Sequence, residues 1–135
     1  MPIALFTVVT AVVFCLGDAF MIPLVMRPLF EAALGNQMLD TLRLGPAALF
    51  YIIHIGGLVY FAGIQATRDQ HTFKAMVNGA VLGLVAYSCY EMTSWTIMRA
   101  WNAHLVVVDI AWGTLLSAAS AWCGAVAARR WALKA

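Results

Sequence analysis

Charged side chains are scarce in this sequence. Asp, Glu, Lys and Arg together make up 10% of its 135 residues, whereas soluble globular domains contain about 25%. Hydrophobic residues account for 64%, and the mean hydropathy is +0.87. A chain of this length has no room for a soluble domain beside a membrane domain. The composition therefore excludes a soluble protein and predicts one integral membrane domain over residues 1–135.

Several chemical signatures are also missing. The net charge of +2 is small, and no basic stripe interleaves with aromatic residues, which excludes nucleic acid as a partner. Cys15, Cys89 and Cys123 stand alone in apolar runs, a spacing that indicates neither a zinc site nor a disulfide framework. We expect these thiols to be buried as small hydrophobic groups, and we expect no metal and no cofactor.

Four apolar segments are long enough to cross a membrane, which takes about 20 helical residues. The first apolar run has no basic region before it and continues beyond Asp18, so we interpret it as a retained span and not as a signal peptide. The pattern predicts an all-α, polytopic four-helix bundle with a short interfacial helix in the first loop. The spans are expected at about 3–26, 46–67, 73–98 and 104–128.

Lys and Arg residues near the span ends predict the orientation, because they accumulate on the cytoplasmic side. Five of them flank one face of the predicted bundle and three flank the other. An even number of spans puts both termini on the five-charge face, so both termini are predicted in the cytoplasm. The five are Arg68, Lys74, Arg129, Arg130 and Lys134, and the three are Arg27, Arg43 and Arg99.

The first loop contains a short helical pattern. Pro28 suits the first turn of a helix and Gly35 suits its end, and the apolar residues between them share one side. A helix lying in the outer interface fits this pattern. It is either a connector at the rim of the bundle or a lid over a site.

Small residues recur at four-residue spacing on the third and fourth spans. Such ladders let helix backbones approach closely in lipid. They serve packing within one chain or between the two copies of a homodimer. The ladders are Ala75, Gly79 and Gly83 on the third span, and Gly113, Ser117, Ala121 and Ala125 on the fourth.

Three carboxylates lie inside the predicted spans, where each costs roughly 2.5–3.5 kcal/mol at a helix centre. Asp18 lies about 12 Å from the outer end of its span, judged from the rise per residue. Glu91 lies about 10 Å and Asp109 about 8 Å from the same face. His54, on the remaining span, lies about 12 Å deep. Each span thus puts one ionisable group in the outer half, whereas the inner half has no comparable group apart from the Asn78 amide.

These four ionisable side chains are predicted to turn toward the bundle axis and pair, with Arg99 and His54 as cationic partners. Three carboxylates close together cannot all stay ionised without a large cost, so we expect a site that binds a proton or a cation. The alternative is a closed hydrogen-bond network that only fixes helix register. Trp101 and Trp131 are predicted to be interface anchors, one on each face. Supporting residues near the site are Tyr51, Tyr90, Thr93, Trp112 and Arg99.

Several runs of the chain match the pattern of a known family. They are Gly83–Thr93 (GLVAYSCYEMT), Val108–Gly113 (VDIAWG), Tyr51–Ala62 (YIIHIGGLVYFA), Arg27–Phe30 and Leu34–Gly35. On these residues the chain resembles an uncharacterised family of small bacterial four-span inner-membrane proteins, the family of unknown function 2177. The resemblance implies a four-helix bundle in a bacterial inner membrane, and it implies no activity. The family's acidic positions in three of its spans correspond to Asp18, Glu91 and Asp109.

Three positions depart from the family pattern. The family tends to carry Asp and Asn where this chain has Glu91 and Ser94, and often a Trp where it has Met21. The negative charge is kept, but the longer Glu side chain changes the geometry available to a ligand.

Three functions fit these observations. The first is proton- or cation-coupled transport of a small solute by a homodimer, in which Glu91 and Asp109 bind the proton or cation, Asp18 supports them and His54 is a relay. The second is an accessory or structural subunit that binds lipid, a pigment or a larger membrane complex. The third is an intramembrane enzyme that uses acid–base chemistry on a lipid-like substrate. An enzyme is the least favoured, because the sequence has no nucleophile motif, HExxH pattern or Gly-rich phosphate loop.

Overall fold

Helices dominate residues 2–134, the part of the chain that the structure, a computed structural model, describes. The chain is 88% helical and has no strand in that range. The α-helices are α1 (Ile3–Met21), α2 (Arg27–Leu34), α3 (Leu44–Leu58), α4 (Ile64–Asp69), α5 (Thr72–Ile97) and α6 (Ala103–Ala132). They form four stretches long and apolar enough to cross a membrane, which confirms the predicted all-α architecture. These are span one (Ile3–Gln37), span two (Leu44–Asp69), span three (Thr72–Ile97) and span four (Ala103–Ala132).

Span one continues well past its predicted end near residue 26. Helix α1 passes directly into a π-helical turn (Ile22–Met26) and then into α2, and a 3₁₀ turn (Gly35–Gln37) ends the stretch. Pro23 has no N–H to donate within the helix, and the widened turn accommodates it. Arg27 does not end the helix, because its guanidinium pairs with Glu31 at 2.8 Å. The predicted interfacial helix therefore exists as α2, but it continues span one and is not a separate helix in a loop.

Span two contains a second π-helical turn, Val59–Gly63, between α3 and α4. A π turn replaces the regular backbone hydrogen bonds of the helix with longer ones. The side-chain amide of Asn78, on span three, donates to the carbonyl oxygen of Phe61 at 3.0 Å and to Oε1 of Gln65 at 2.8 Å. The Asn78 amide thus supplies a hydrogen bond to a backbone carbonyl in the irregular part of the neighbouring span. An unpaired carbonyl is costly inside the hydrocarbon.

Spans three and four pack against each other along the predicted small-residue ladders. A Cβ added to Gly79 would lie 2.6 Å from the carbonyl oxygen of Ser117, and one added to Gly83 would lie 2.5 Å from that of Gly113. The backbones of the two helices are therefore so close that only glycine fits at these points. Within one chain, the two ladders face each other.

Gly79→Ala should weaken this packing. The added methyl group would have to displace the Ser117 backbone and the Ala121 side chain, 2.8 Å away, and overpacking of this kind costs about 1–3 kcal/mol. The matched control is Gly56→Ala, because a Cβ added to Gly56 meets nothing within 4 Å. Thermal unfolding in detergent should show a lower Tm for Gly79→Ala and an equal or higher Tm for Gly56→Ala. Parental Tm values for both variants would contradict the close approach of the two spans.

The core of the bundle lies among all four spans. Its large fully buried side chains include Phe6, Phe14 and Leu58, and alanines of α6 fill the remaining space. Cys15 and Cys89 are exposed, so the expectation of buried thiols was wrong for these two. In a membrane an exposed position faces hydrocarbon, and a small apolar side chain gains little there from being buried in protein.

Candidate functional site

Asp18 lies inside the bundle and is hydrogen-bonded to two other spans. Asp18 is only 5% exposed. The indole Nε1–H of Trp112, on span four, donates to Asp18 Oδ1 at 3.1 Å. The hydroxyl of Tyr51, on span two, donates to Asp18 Oδ2, also at 3.1 Å. Both carboxylate oxygens are thus bound by neutral donors, and the two supporting residues predicted here do contact an acid.

Glu91 and Asp109 form a buried acidic pair between spans three and four. Glu91 is fully buried and Asp109 is 7% exposed. Trp101 donates its indole N–H to Glu91 Oε2 at 2.6 Å, whereas Glu91 Oε1 has no hydrogen-bond partner among the described residues. The Asp109 carboxyl is close enough to Glu91 for the two groups to interact electrostatically. Two buried carboxyl groups this close cannot both be ionised without a large cost, so the pair is suited to holding one shared proton.

No basic side chain forms a salt bridge with these three carboxylates in residues 2–134. The salt bridges in that range are Arg27–Glu31 at 2.8 Å and Lys74–Asp69 at 2.7 Å, and their side chains are about half exposed. Arg99 was predicted as a cationic partner, but it is exposed just after the end of span three. A guanidinium near the membrane surface is better solvated by water and headgroups than by a buried site. The acidic site therefore has hydrogen-bond donors but no countercharge.

Tyr87 connects the two parts of the acidic site, and the sequence interpretation missed it. Its ring packs directly on Gly113, where any side chain would collide with it. Tyr87 is near both Asp18 and Asp109, and these two acids are themselves close enough to interact electrostatically. A signal was available, because Tyr87 precedes Glu91 by four residues and so shares its face of α5. Asp18 and the Glu91–Asp109 pair are thus close enough to interact electrostatically.

His54 lies deeper than the sequence predicts. It is 5% exposed, and its Nε2 is 2.9 Å from the hydroxyl oxygen of Ser117, eight residues or about 12 Å along α6 from Asp109. Helix α3 begins at Leu44, so His54 lies ten residues, or about 15 Å, from the outer end of its helix. The expectation that His54 pairs with the carboxylates is corrected by this geometry. Its imidazole packs among the rings of Phe14, Phe50 and Tyr87.

Two other supporting residues lie at the margin of the site or outside it. The ring of Tyr90 is perpendicular to that of Trp101, with 6.0 Å between the centroids, but Tyr90 is half exposed. Thr93 is exposed and does not contribute, because residues two apart on a helix do not share a face with one another. Glu91 points into the bundle and Thr93 consequently points out.

Trp101 was predicted to be an interface anchor, and the structure instead buries it over Glu91, at 5% exposure. Helix α2 packs on this indole, with 5.7 Å between the ring centroids of Phe30 and Trp101. The helix ends at Gly35, whose φ of 54° favours glycine. Of the two alternatives for this segment, a lid is the one that its contact with Trp101 favours. Further apolar residues of α2 against the same cluster are Leu29, Ala33 and Leu34.

Fold and site together define the class of the protein, which is a membrane protein with four candidate spans and an acidic cluster buried inside its bundle. A family model described as "Predicted membrane protein (DUF2177)" matches residues 3–126, and the chain belongs to this family of unknown function. The resemblance noted in the sequence is thereby confirmed. No curated protein and no solved structure matches the chain.

Proposed function

We propose that this protein moves protons across the membrane, coupled to the transport of a small solute, with Glu91 and Asp109 as the proton-binding pair and Asp18 as a supporting acid. The observation that carries the proposal is the burial of all three carboxylates, none more than 7% exposed, without a salt-bridge partner in residues 2–134. A carboxylate in hydrocarbon that lacks a countercharge is stabilised by taking up a proton. Intramembrane acids in such surroundings mark proton and ion pathways.

The groups around the acidic pair suit a proton better than a metal cation. The indole N–H of Trp101 faces Glu91, and an N–H group donates hydrogen bonds but does not ligate a cation. In residues 2–134, no group of three or more His, Cys, Asp or Glu side chains is arranged to hold a metal ion. A proton between Glu91 and Asp109 would supply the donor that Glu91 Oε1 lacks.

Protons would reach this site from the outer face of the bundle. Glu91 lies six residues before the end of α5 and Asp109 lies six residues after the start of α6, so both acids are nearer to the outer end of the bundle. Tyr51, which donates to Asp18, lies seven residues after the start of α3 at the same end. The inner half is closed by Phe6, Phe14 and the alanines of α6. We interpret this arrangement as the state in which the acids are nearer to outer water.

The surroundings of the protein form part of the proposal. We place the chain in the inner membrane of a bacterium with both termini in the cytoplasm, because of the Lys and Arg count at its span ends. A homodimer is favoured, because four spans alone enclose little volume for a solute. Lipid and the second copy would share the exposed apolar surface, which includes Leu16, Phe20, Ile52, Ile53, Leu115 and Trp122.

A structural or accessory subunit of a larger membrane complex is the second candidate. Asp18 favours it, because hydrogen bonds from Tyr51 and Trp112 join three spans at this one carboxylate. In such a protein the acids fix helix register. Replacing one of them would then lower the stability or the assembly of the protein. Neither the parent nor the variant would transport protons.

Proton movement in proteoliposomes tests the proposal. Vesicles that contain the parent protein and a pH-sensitive dye should dissipate an imposed pH gradient faster than protein-free vesicles, with a mixture of small solutes (amino acids, sugars and monovalent cations) present outside. Glu91→Gln and Asp109→Asn should each lower this flux by roughly 100-fold, because an amide cannot take up and release the proton in place of the acid. The dye fluorescence after a pH jump measures the rate.

The matched control is Glu31→Gln, which makes the same change at an exposed carboxylate on α2 that pairs with Arg27. It should leave the flux at the parental value. A parent protein without proton flux, or one that Glu91→Gln leaves unchanged, would contradict the carrier. A structural role alone is indicated if the acid variants differ from the parent in Tm and the parent itself conducts no protons.

A further inference from the structure

A second set of buried polar groups lies below the acidic site, toward the end of the bundle that carries both termini. Thr10, Ser117 and Ser120 are fully buried, and His54 is 5% exposed. The sequence interpretation found little of polar character in this half, because hydroxyl groups do not stand out among ionisable residues. The transport site described above does not use these four side chains.

The set forms a row along one face of α6. Ser117, Ser120 and Gly124 follow Asp109 and Gly113 at spacings of three or four residues, which keeps all five on one side of the helix. His54 Nε2 lies 2.9 Å from the Ser117 oxygen. Across the bundle, the Thr10 hydroxyl donates to the carbonyl oxygen of Ser120 at 3.3 Å. The same hydroxyl occupies the space above Gly124, where a Cβ would collide with it.

The hydroxyl oxygen of Ser120 is buried without a hydrogen-bond partner among the described residues. An unpaired buried hydroxyl is destabilising, and buried polar groups of this kind are commonly satisfied by an ordered water molecule. The Thr10 hydroxyl and the carbonyl oxygen of Phe6 fill the space beside Gly124, so two further polar atoms lie one helical turn from Ser120. We therefore expect a water molecule bound at Ser120.

Two tyrosines stand between the acids and this row. Tyr51 donates to Asp18 and precedes His54 by three residues on α3, so the two side chains share a face of that helix. Tyr87 is near both Asp18 and Asp109, and its ring packs at 6.0 Å on that of His54. Tyr51 and Tyr87 thus lie next to the acids on one side and next to His54 on the other.

We propose that this row is the inner half of a proton path. The path runs from the acidic pair past Tyr87, Asp18 and Tyr51 to the His54–Ser117 pair, and then through water at Ser120 to Thr10. At each step an O–H or N–H bond breaks on the donor and one forms on the acceptor. One proton enters at the acidic pair and another leaves from the Thr10 hydroxyl to water at the inner face when the inner half opens, and the row returns to its starting state when the groups reorient. The inference rests on the proposed function, for which it names the route of the proton.

Purified full-length protein in dye-loaded proteoliposomes provides the test. The proton flux should fall by roughly tenfold or more in each of three variants, Ser117→Ala, Ser120→Ala and Thr10→Val. Each variant removes a hydroxyl group that transfers the proton. Ser120→Ala should keep the parental Tm, because no described protein group bonds to this hydroxyl, so loss of folding would not account for its loss of flux. The matched control for Thr10→Val is Thr7→Val, because the Thr7 hydroxyl is exposed and bonds to its own helix.

Glu91→Gln in the same vesicles separates the two proposals. If Glu91→Gln abolishes the flux while the three variants of the row keep the parental rate, the path is wrong and the acidic proton site stands. If the row variants lose flux at parental Tm and the Thr7 control does not, the path is supported. A parent protein that conducts no protons overturns both.

Discussion

Replacing Trp101 with alanine is expected to lower the free energy of unfolding by about 3 kcal/mol or more, the usual cost of truncating a buried tryptophan. The indole is 5% exposed and fills the space between Phe30 of α2 and Tyr90 of span three. The substitution also removes the N–H that donates to Glu91 at 2.6 Å. Both Glu91 oxygens would then lack a partner among the described residues. A buried acid without a donor adds its own cost to that of the cavity.

Two further variants divide this effect into its parts. Trp101→Phe keeps an aromatic ring against α2 and loses the N–H, so it should cost about 1 kcal/mol, the net value of one hydrogen bond. Trp131→Ala truncates a tryptophan that is 63% exposed and should leave the stability within about 0.5 kcal/mol of the parent. Unfolding of each variant by SDS in mixed micelles measures the differences. Equal losses for Trp101→Ala and Trp131→Ala would show that Trp101 does not cover the acidic pair.

The fold of this chain follows from properties that a sequence displays directly. A span needs a run of apolar residues of a certain length, and four such runs are present. The small-residue ladders also identified the closest helix contact correctly, because Gly79 and Gly83 meet span four through their backbones. The end of span one was less predictable. Pro23 and Arg27 usually mark a break, but a π turn and a pair with Glu31 let the helix continue.

The acids of the site were predictable from their cost in hydrocarbon, whereas their partners were not. Trp112 lies 94 residues from Asp18 in sequence, and such a pair depends on how the helices pack. Trp101 lies in the connection between α5 and α6, where the chain turns back and brings the indole onto Glu91. A periodic sequence pattern cannot reveal such a turn. The preference for cationic partners failed at Arg99, since that side chain is near enough to the surface to be solvated.

His54 shows how a small error in a helix boundary changes a functional interpretation. Counting from residue 46 put the imidazole level with the acids, and α3 in fact begins at Leu44. His54 is therefore about 3 Å farther from the start of its helix than the count predicted. It meets the Ser117 hydroxyl there, and Tyr51 takes the place beside Asp18. A relay role for His54 therefore belongs to the inner polar row and not to the acidic pair.

A protonated carboxyl group should be visible in the infrared spectrum of the purified protein at neutral pH. Its C=O stretch is separate from the bands of ionised carboxylates, and it shifts when the proton is exchanged for deuterium. The band is expected because Glu91 is fully buried, Asp109 is close enough to interact with it, and no salt bridge to the pair exists in residues 2–134. Because the proton is shared, the band belongs to the pair and not to one of the two acids.

The decisive comparison is between the parent protein and the double variant Glu91→Gln/Asp109→Asn. The double variant should lose intensity from the protonated-carboxyl band of the parent, whereas Glu31→Gln, at the exposed carboxylate of α2, should keep the parental intensity. Circular dichroism of the same samples verifies that all three chains keep their helices. A parent spectrum without a protonated carboxyl, or a band of parental intensity in the double variant, would contradict proton binding by Glu91 and Asp109.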